Sequence, residues 1–415
     1  MGSGKSSAAI NYMNANPDKK FVYITPYLDE AKRIKDACPE LRFVEPSGTI
    51  PEFEFKKYKH TLKLMQDGKN IASTHSMFLR YSSDMADAIR THGYTLIIDE
   101  DVEVLSKCDT ICREDVEMLA WKGYAEVSNG EVTLKNTERY ASCGKFHDLF
   151  VSVGKNTLVE IRLEDESDEV SMFYWIFSRE VLDAFSEVYV LTYMFAAQTI
   201  RRYFDLKGIE YEYIHTAYDG NNYSFTDGPA YIPEYTKHIK ERLHIIEHAK
   251  LNDIGKGRCS LSANWYSGLT EGCEKAERLR KNLENFFKNV SPIKSCPQRM
   301  WSSFESGKKF LRGKGYFRSD TAFNMKATNE YRDKHVLAYL VNVFMNPFEK
   351  RYLTEHGVDV KEDDYALSVM VQWIWRSAIR DGGEIWVYIP SKRMRELLLS
   401  WMDSLEKGGA PDEIV

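Results

Sequence analysis

Met1-Gly2-Ser3-Gly4-Lys5-Ser6-Ser7 opens the chain and decides how the rest is read. It matches the second half of the phosphate-binding pattern G-x-x-x-x-G-K-[ST]. Gly4 is the closing glycine, Lys5 the phosphate lysine and Ser6 the magnesium hydroxyl. Backbone N–H groups over Gly2, Ser3, Gly4, Lys5, Ser6 and Ser7 would cradle the phosphates of ATP, and the following helix would turn its positive end toward them. Such a loop joins a parallel strand to a helix, so it predicts an α/β protein. The first glycine of the pattern and the strand feeding the loop would precede Met1, and the native start is expected upstream.

The next hundred residues alternate as that fold requires. Runs at 21–25 (Phe-Val-Tyr-Ile-Thr), 70–74 and 94–99 read as buried strands. Helical spacing fills 6–14, 28–37, 59–66 and 83–91 between them. Strands alternating with helices of about ten residues imply a parallel sheet covered on both faces, with ligands at the carboxyl ends of its strands. Tyr94-Thr-Leu-Ile-Ile-Asp99-Glu100 feeds an acidic pair from apolar residues, the Walker B arrangement. Asp99 would hold Mg2+ together with Ser6, and Glu100 would polarise the attacking water.

The stretch 108–187 breaks the alternation. A helix at 113–122 precedes Ala-Glu-Val-Ser-Asn129-Gly130-Glu-Val-Thr-Leu, a hairpin signal, so a small α+β, winged-helix-like insertion is expected. Buried-strand character resumes at 187–194. A helix at 199–207 and a strand at 211–215 follow. Farther on, helices are expected at 328–344, 365–379 and 394–405, with a strand at 384–389. Residues 1–107 with 188–196 are therefore expected to form a first RecA-like domain, 108–187 an insertion, and 197–415 a second RecA-like domain.

Composition bounds the function. The 415 residues carry 43% hydrophobic residues, 13% aromatics and a formal charge of −6. That suits two or three packed domains and argues against blanket nucleic-acid binding. No apolar run approaches a membrane span and no signal segment opens the chain. Seven scattered cysteines favour free thiols in a reducing cytoplasm. Between 234 and 318, 18 Lys and Arg face nine Asp and Glu, so this stretch is +9 and the remainder −15. Nine Trp, Tyr and Phe residues, from Trp265 to Phe317, are interleaved with those charges. The stretch reads either as a nucleic-acid surface that pairs phosphates and stacks bases, or as a helical region with a solvated basic face and an aromatic core.

Gly-Ser-Gly-Lys-Ser, then Thr25-Pro26, then Ser-Thr74-His75, then Ile-Ile-Asp99-Glu100 resembles motifs I, Ia, Ib/Ic and II of superfamily 2 (DEAD/DEAH-like) helicases. Val-Leu-Thr192-Tyr-Met stands where motif III would lie. Gln372-Trp-Ile-Trp-Arg376-Ser-Ala-Ile-Arg380 resembles motif VI, and 321–331 stands loosely for motif V. Two arginines four apart on one helix would face one way. These stretches, with Tyr-Ile-Pro-Ser-Lys-Arg-Met-Arg, resemble helicase-like proteins of tailed phages.

The resemblance implies two RecA-like P-loop NTPase domains, ATP and Mg2+ as cofactors, and Gln372, Arg376 and Arg380 reaching the nucleotide across a domain interface. It implies nucleic-acid contacts at Thr25, Pro26, Thr74, His75 and Thr192. The expected activity is ATP-dependent helicase or translocase action in phage DNA replication or recombination. Single-stranded or forked DNA is the expected partner, ahead of RNA, with replication proteins as further partners and no membrane; the place of action is the bacterial host cytoplasm. Two alternatives stand beside it: a replication-initiation scaffold that binds DNA with little or no hydrolysis, and a viral DNA-packaging ATPase.

Overall fold

Strand residues alternate between two apolar clusters, and that alternation builds the first sheet. In β1 (Lys20–Thr25) Val22 and Ile24 enter one cluster while Phe21 and Tyr23 enter the other. In β3 (Tyr94–Asp99) Leu96 and Ile98 oppose Ile97 in the same way. Burial on both faces favours parallel strands flanked by helices. The computed structural model, which describes residues 2–135, 146, 149, 156–164, 169–325 and 330–406, has that arrangement. With β2 (Ile71–Thr74) and β9 (Glu187–Leu191), the strands lie in the order β2-β1-β3-β9, all parallel.

Helices cover both faces. α1 (Lys5–Ala15) and α2 (Leu28–Ala37) set Ala9, Met13, Ala31 and Ile34 into the cluster that holds Tyr23. α3 (Lys57–Gln66) and α4 (Ser83–His92) pack Met65 and Ile89 into the cluster on the opposite face. Within the insertion, β4 (Leu105–Cys108), α5 (Arg113–Trp121), β5 (Ala125–Ser128), β6 (Glu131–Leu134), β7 (Asn156–Glu164) and β8 (Glu169–Phe177) follow in turn. Its strands form an antiparallel sheet in the order β4-β8-β7-β6-β5. The expected helix and hairpin are both present, with Asn129 and Gly130 at positive φ in the turn. The hairpin is not a free wing, however: β6 pairs onward with β7, so the winged-helix-like expectation gives way to one continuous sheet.

After β9 come α6 (Thr199–Lys207) and the hairpin of β10 (His215–Tyr218) and β11 (Tyr223–Thr226). Beyond them lie β12 (Leu243–Ile245), α7 (Glu274–Asn285), β13 (Arg299–Ser302), β14 (Asp320–Thr321), β15 (Val336–Tyr339), α8 (Pro347–Glu355), α9 (Glu362–Ile374), β16 (Ile385–Tyr388) and α10 (Lys392–Glu406). The later strands make a second parallel sheet ordered β12-β16-β15-β13-β14.

Two compact units result. One holds Gly4–Pro229 and Asn346–Val360; the other holds Ala230–Met345 and Lys361–Glu413, with the residues ahead of Gly4. The break therefore falls at 229/230 rather than at 196/197. α6 and the β10–β11 hairpin belong to the first unit because Ile200, Tyr203 and Phe204 enter one of its clusters and Phe225 packs against the other. α8 returns to it through Phe348.

Three element expectations are corrected. The apolar stretch expected as a helix at 328–344 contains β15, a central strand buried throughout; residues 326–329, which include part of the motif V-like segment, lie outside the described residues. The helix expected to reach 379 ends at Ile374. The strand expected at 211–215 begins only at His215. The aromatics of the basic stretch are mostly core: Tyr266, Phe286, Phe287, Trp301 and Tyr316 are buried in one cluster, with Trp265, Phe304 and Phe310 packed on it, and Phe317 is exposed. Eight of the nine aromatics therefore serve the core and do not form a base-stacking surface.

Glu349 on α8 carries a consequence for stability. Burial pushes its carboxyl up to about 7, with Glu103 reinforcing the shift and Arg202 opposing it. The folded protein thus holds a proton that the unfolded chain releases near pH 4.5, so stability falls as pH rises from there through 7. Glu349→Gln should raise Tm by about 2–4 °C at pH 8 and change it little at pH 4.5, as calorimetry at the two pH values would show. An equal gain at both pH values would reject the linkage.

Candidate functional site

Glycine starts the site for a steric reason. Gly4 sits at φ +79° ahead of α1, and a Cβ at this position would run into the Tyr223 ring. Gly2 takes φ +75°. The first helical bond runs from Ala8 N–H to Gly4 C=O at 2.8 Å, so the N–H groups of Lys5, Ser6 and Ser7 precede the helical ladder. Three amides at the positive end of an 11-residue helix make a place for an anion.

Asp99 brings the sheet to that helix end. Ser6 Oγ donates to its carboxylate at 3.1 and 3.3 Å, although 93 residues separate the two. Tyr23 Oη donates to the same carboxylate at 2.8 Å from the neighbouring strand. His75 Nε2 lies 2.9 Å from the Asp99 backbone carbonyl, which ties the end of β2 to the end of β3. Burial pushes the Asp99 carboxyl up to about 6, and the adjacent Glu100 adds to it, while the Tyr23 and Ser6 hydroxyls hold it down. Burial and the same carboxylate drive the Tyr23 phenol well above its ordinary value, so it stays a donor.

Glu100 occupies the left-handed region at φ +67°, and its N–H donates to Leu191 C=O at 3.0 Å. A non-glycine residue held there stores strain, and such positions cluster at working sites. Asp101, buried, accepts from the N–H groups of Ile200 at 3.0 Å and Thr199 at 3.4 Å, and so anchors the start of α6. Lys5 Nζ stands 5.8 Å from the Tyr193 ring centroid, beside the end of β9. Hydroxyl and carboxylate oxygens converging at a phosphate-type loop suit a hard cation such as Mg2+, which takes one or two protein ligands and completes its shell from phosphates and water. Among the described residues, no group of three or more His, Cys, Asp and Glu gathers to hold a metal on its own.

The remaining expected residues divide. Lys5, Ser6, Ser7, Pro26, Thr74, His75 and Glu100 are partly accessible around the strand ends, whereas Ser3 is buried. Thr25 and Thr192 are buried as well, so neither side chain presents a nucleic-acid contact, and that expectation is corrected. Gln372 lies on α9 in the other unit. Arg376 and Arg380 do not share that helix: α9 stops two residues before Arg376, and Arg380 rides a 3-10 turn at Ala378–Asp381. Arg376 is buried and Arg380 is partly exposed. Sequence reading missed Tyr23, Asp101, Tyr193 and Tyr223. For Tyr23 a signal existed, a hydroxyl inside an otherwise apolar strand; for Tyr223 none did, because only the fold carries it to Gly4.

A family model described as the YonV C-terminal Rossmann-like domain matches residues 237–402. The SPbeta prophage-derived uncharacterized protein YonV of Bacillus subtilis (strain 168) is 36% identical over 412 residues, covering 97% of either chain. The chain therefore belongs to the YonV family. A solved structure described as XPD_APO aligns over 96% of this chain and 94% of its own, at 10% identity and a TM-score of 0.41.

The Asp99 environment predicts a titration. The carboxyl should titrate near pH 6 in the nucleotide-free protein, and Tyr23→Phe should move the midpoint higher by removing a donor to the ionised form. Carbon-detected NMR of labelled aspartate would show both. A midpoint near 4, or a downward move in the variant, would mean that the site is not held as described.

Proposed function

We propose that this protein is an ATP-driven nucleic-acid motor, a helicase or translocase acting on DNA, built on two RecA-like domains. The observation that carries the reading is the Ser6–Asp99 pair. A loop hydroxyl and a strand-tip carboxylate meet at 3.1 Å where a glycine-gated helix begins, at the carboxyl end of a parallel sheet. Burial and Glu100 push that carboxyl up to about 6, a cost to folding at neutral pH that the Ser6 and Tyr23 hydroxyls offset only in part, and a bound cation at the pair would relieve it.

Each residue has a role in that reading. The N–H groups of Lys5, Ser6 and Ser7 bind phosphate oxygens, and the Lys5 ammonium neutralises their charge. Ser6 and Asp99 would hold Mg2+, which supplies charge neutralisation to the transferring phosphoryl group. Tyr23 orients the Asp99 carboxylate and His75 fixes the strand end. Glu100, turned by its left-handed backbone, accepts the proton of the attacking water. Arg380, the more accessible of the two arginines, is the candidate for stabilising charge in the transition state.

DNA would be gripped at Pro26 and Thr74 and by the lysines and arginines of 234–318. With the aromatics of that stretch in the core, the grip is on phosphates and not by extensive base stacking. DNA is favoured over RNA by the tailed-phage resemblance and by the prophage origin of the YonV relative.

Single-stranded DNA added to the purified protein with Mg2+ and ATP should raise phosphate release several-fold. Lys5→Ala and Glu100→Gln should each cut the stimulated rate by about 100-fold or more, Glu100→Gln with ATP affinity retained. DNA affinity should fall steeply with salt, and Thr25→Ala should leave it unchanged. No rise in ATPase rate on adding DNA would sink the motor reading, and retained ATP affinity would then leave a nucleotide-binding scaffold.

A further inference from the structure

Phe55 is 65% exposed in the loop between Val44 and α3, and its backbone takes φ +57°. Glu54 beside it takes φ +53°. A bulky residue in the left-handed region is strained, whereas glycine adopts it freely. Burial returns little here, because most of the ring stays in water. The fold therefore gives no reason for phenylalanine at this position. Strained residues of this kind collect at ligand sites.

The loop that presents the ring is held by its own contacts. Phe53 stacks on His60, with ring centroids 4.9 Å apart and planes at 14°. His60 Nδ1 accepts from Ser47 N–H at 2.9 Å. Phe55 N–H donates to Ile50 C=O at 3.2 Å, and Lys56 N–H to Phe53 C=O at 2.9 Å. Topology fixes where the loop stands. Val44 bridges Ile71 of β2 in parallel, so the chain leaving Val44 heads for the carboxyl end of the sheet. α3 then returns to the amino end, where Tyr94 Oη donates to Lys69 C=O at 2.6 Å just past the helix. Phe55 and the start of α3 thus share the sheet end at which Pro26 and Thr74 follow β1 and close β2. Ligands of parallel sheets bind at that end. Lysines flank the ring: Lys56 and Lys59 pair with Glu54, and the exposed Lys57 has no acidic partner among the described residues.

We infer that Phe55 stacks on an unpaired base of a DNA strand lying across the carboxyl ends, while Lys57 meets a neighbouring phosphate. An aromatic face beside a cation is the recognition chemistry of single-stranded nucleic acid, since every base offers a π-face and every linkage a charge. A duplex hides those faces within its own stack, so Phe55 makes this end of the sheet select unpaired strand. The inference rests on the DNA part of the proposed function and adds the form of the DNA. It does not depend on hydrolysis, because Phe55 takes no part in the Ser6–Asp99 site.

The test uses the full chain without nucleotide and three fluorescein-labelled probes read by anisotropy: an oligothymidylate, an abasic strand of the same length and a blunt duplex. Phe55→Ala should weaken the oligothymidylate about tenfold and leave the abasic strand and the duplex unchanged. Phe55→Trp should restore the binding. Lys57→Ala should weaken the oligothymidylate and the abasic strand alike and lower the salt slope. Phe55→Gly should lose the same tenfold without lowering Tm, since it relieves the backbone. Unchanged oligothymidylate binding in Phe55→Ala, an equal loss on the abasic strand, or a Tm that drops by several degrees in Phe55→Gly would each overturn the inference. So would a Phe55 that governs adhesion to anionic lipid vesicles and not to the strand. DNA-stimulated ATPase with no effect of Phe55 would sink this inference and spare the motor. Base-dependent binding through Phe55 with no stimulated ATPase would do the reverse.

Discussion

The Asp99 carboxylate is the point on which the first unit turns. Strands β1, β3 and β9 are apolar on both faces, so their polar chemistry is confined to where the strands leave the core. Asp99 is the last residue of β3, and at this level Tyr23 of β1 and Ser6 of α1 both reach it. One acidic group thus fixes the azimuth of α1, the depth of the glycine loop and the register between loop and sheet. Remove it and Ser6 and Tyr23 would keep their packing but lose their common partner.

The cost of that arrangement is visible in the same place. A carboxyl pushed up to about 6 and a glutamate at φ +67° are both unfavourable in isolation. They persist because the surrounding β-sheet leaves no alternative: Glu100 N–H is held by Leu191, and Asp101 is committed to the start of α6. Three consecutive acidic residues therefore part company: Asp99 meets the loop, Asp101 meets a helix end, and Glu100 between them takes the left-handed backbone. Backbone geometry, more than side-chain identity, separates their roles.

Much of this was legible in the sequence, and the misses have physical causes. The strands around Val22, Ile71 and Leu96 announced themselves as short apolar runs closed by polar residues. The same signal failed at 336–339: a central strand buried on both faces shows no period-two alternation, so an apolar stretch reads equally as a buried helix. Thr25 and Thr192 failed by a fraction of a residue. A threonine at a strand end is either among the last buried residues or the first exposed one; Thr25 is the last buried residue of β1, and beyond β9 burial runs through Thr192 to Tyr193. Arg376 and Arg380 were placed on one helix by spacing, but α9 ends at Ile374 and the chain there passes into a 3-10 turn.

The basic stretch shows why composition underdetermines a surface. Cations and aromatics alternate along 234–318, yet folding sorts them: Trp301 and Phe287 go inward with Leu279 and Leu283, while most charges of α7 stay out. Arg299 is the exception. Its guanidinium is buried and donates to the carbonyls of Phe287, Lys294 and Gly315, so it closes a loop in place of meeting a phosphate. An arginine spent on backbone carbonyls cannot serve a ligand. The +9 of the stretch therefore overstates the charge available at the surface, and any grip on a polyanion must come from residues such as Lys309, Lys314 and Arg318 that the core does not claim.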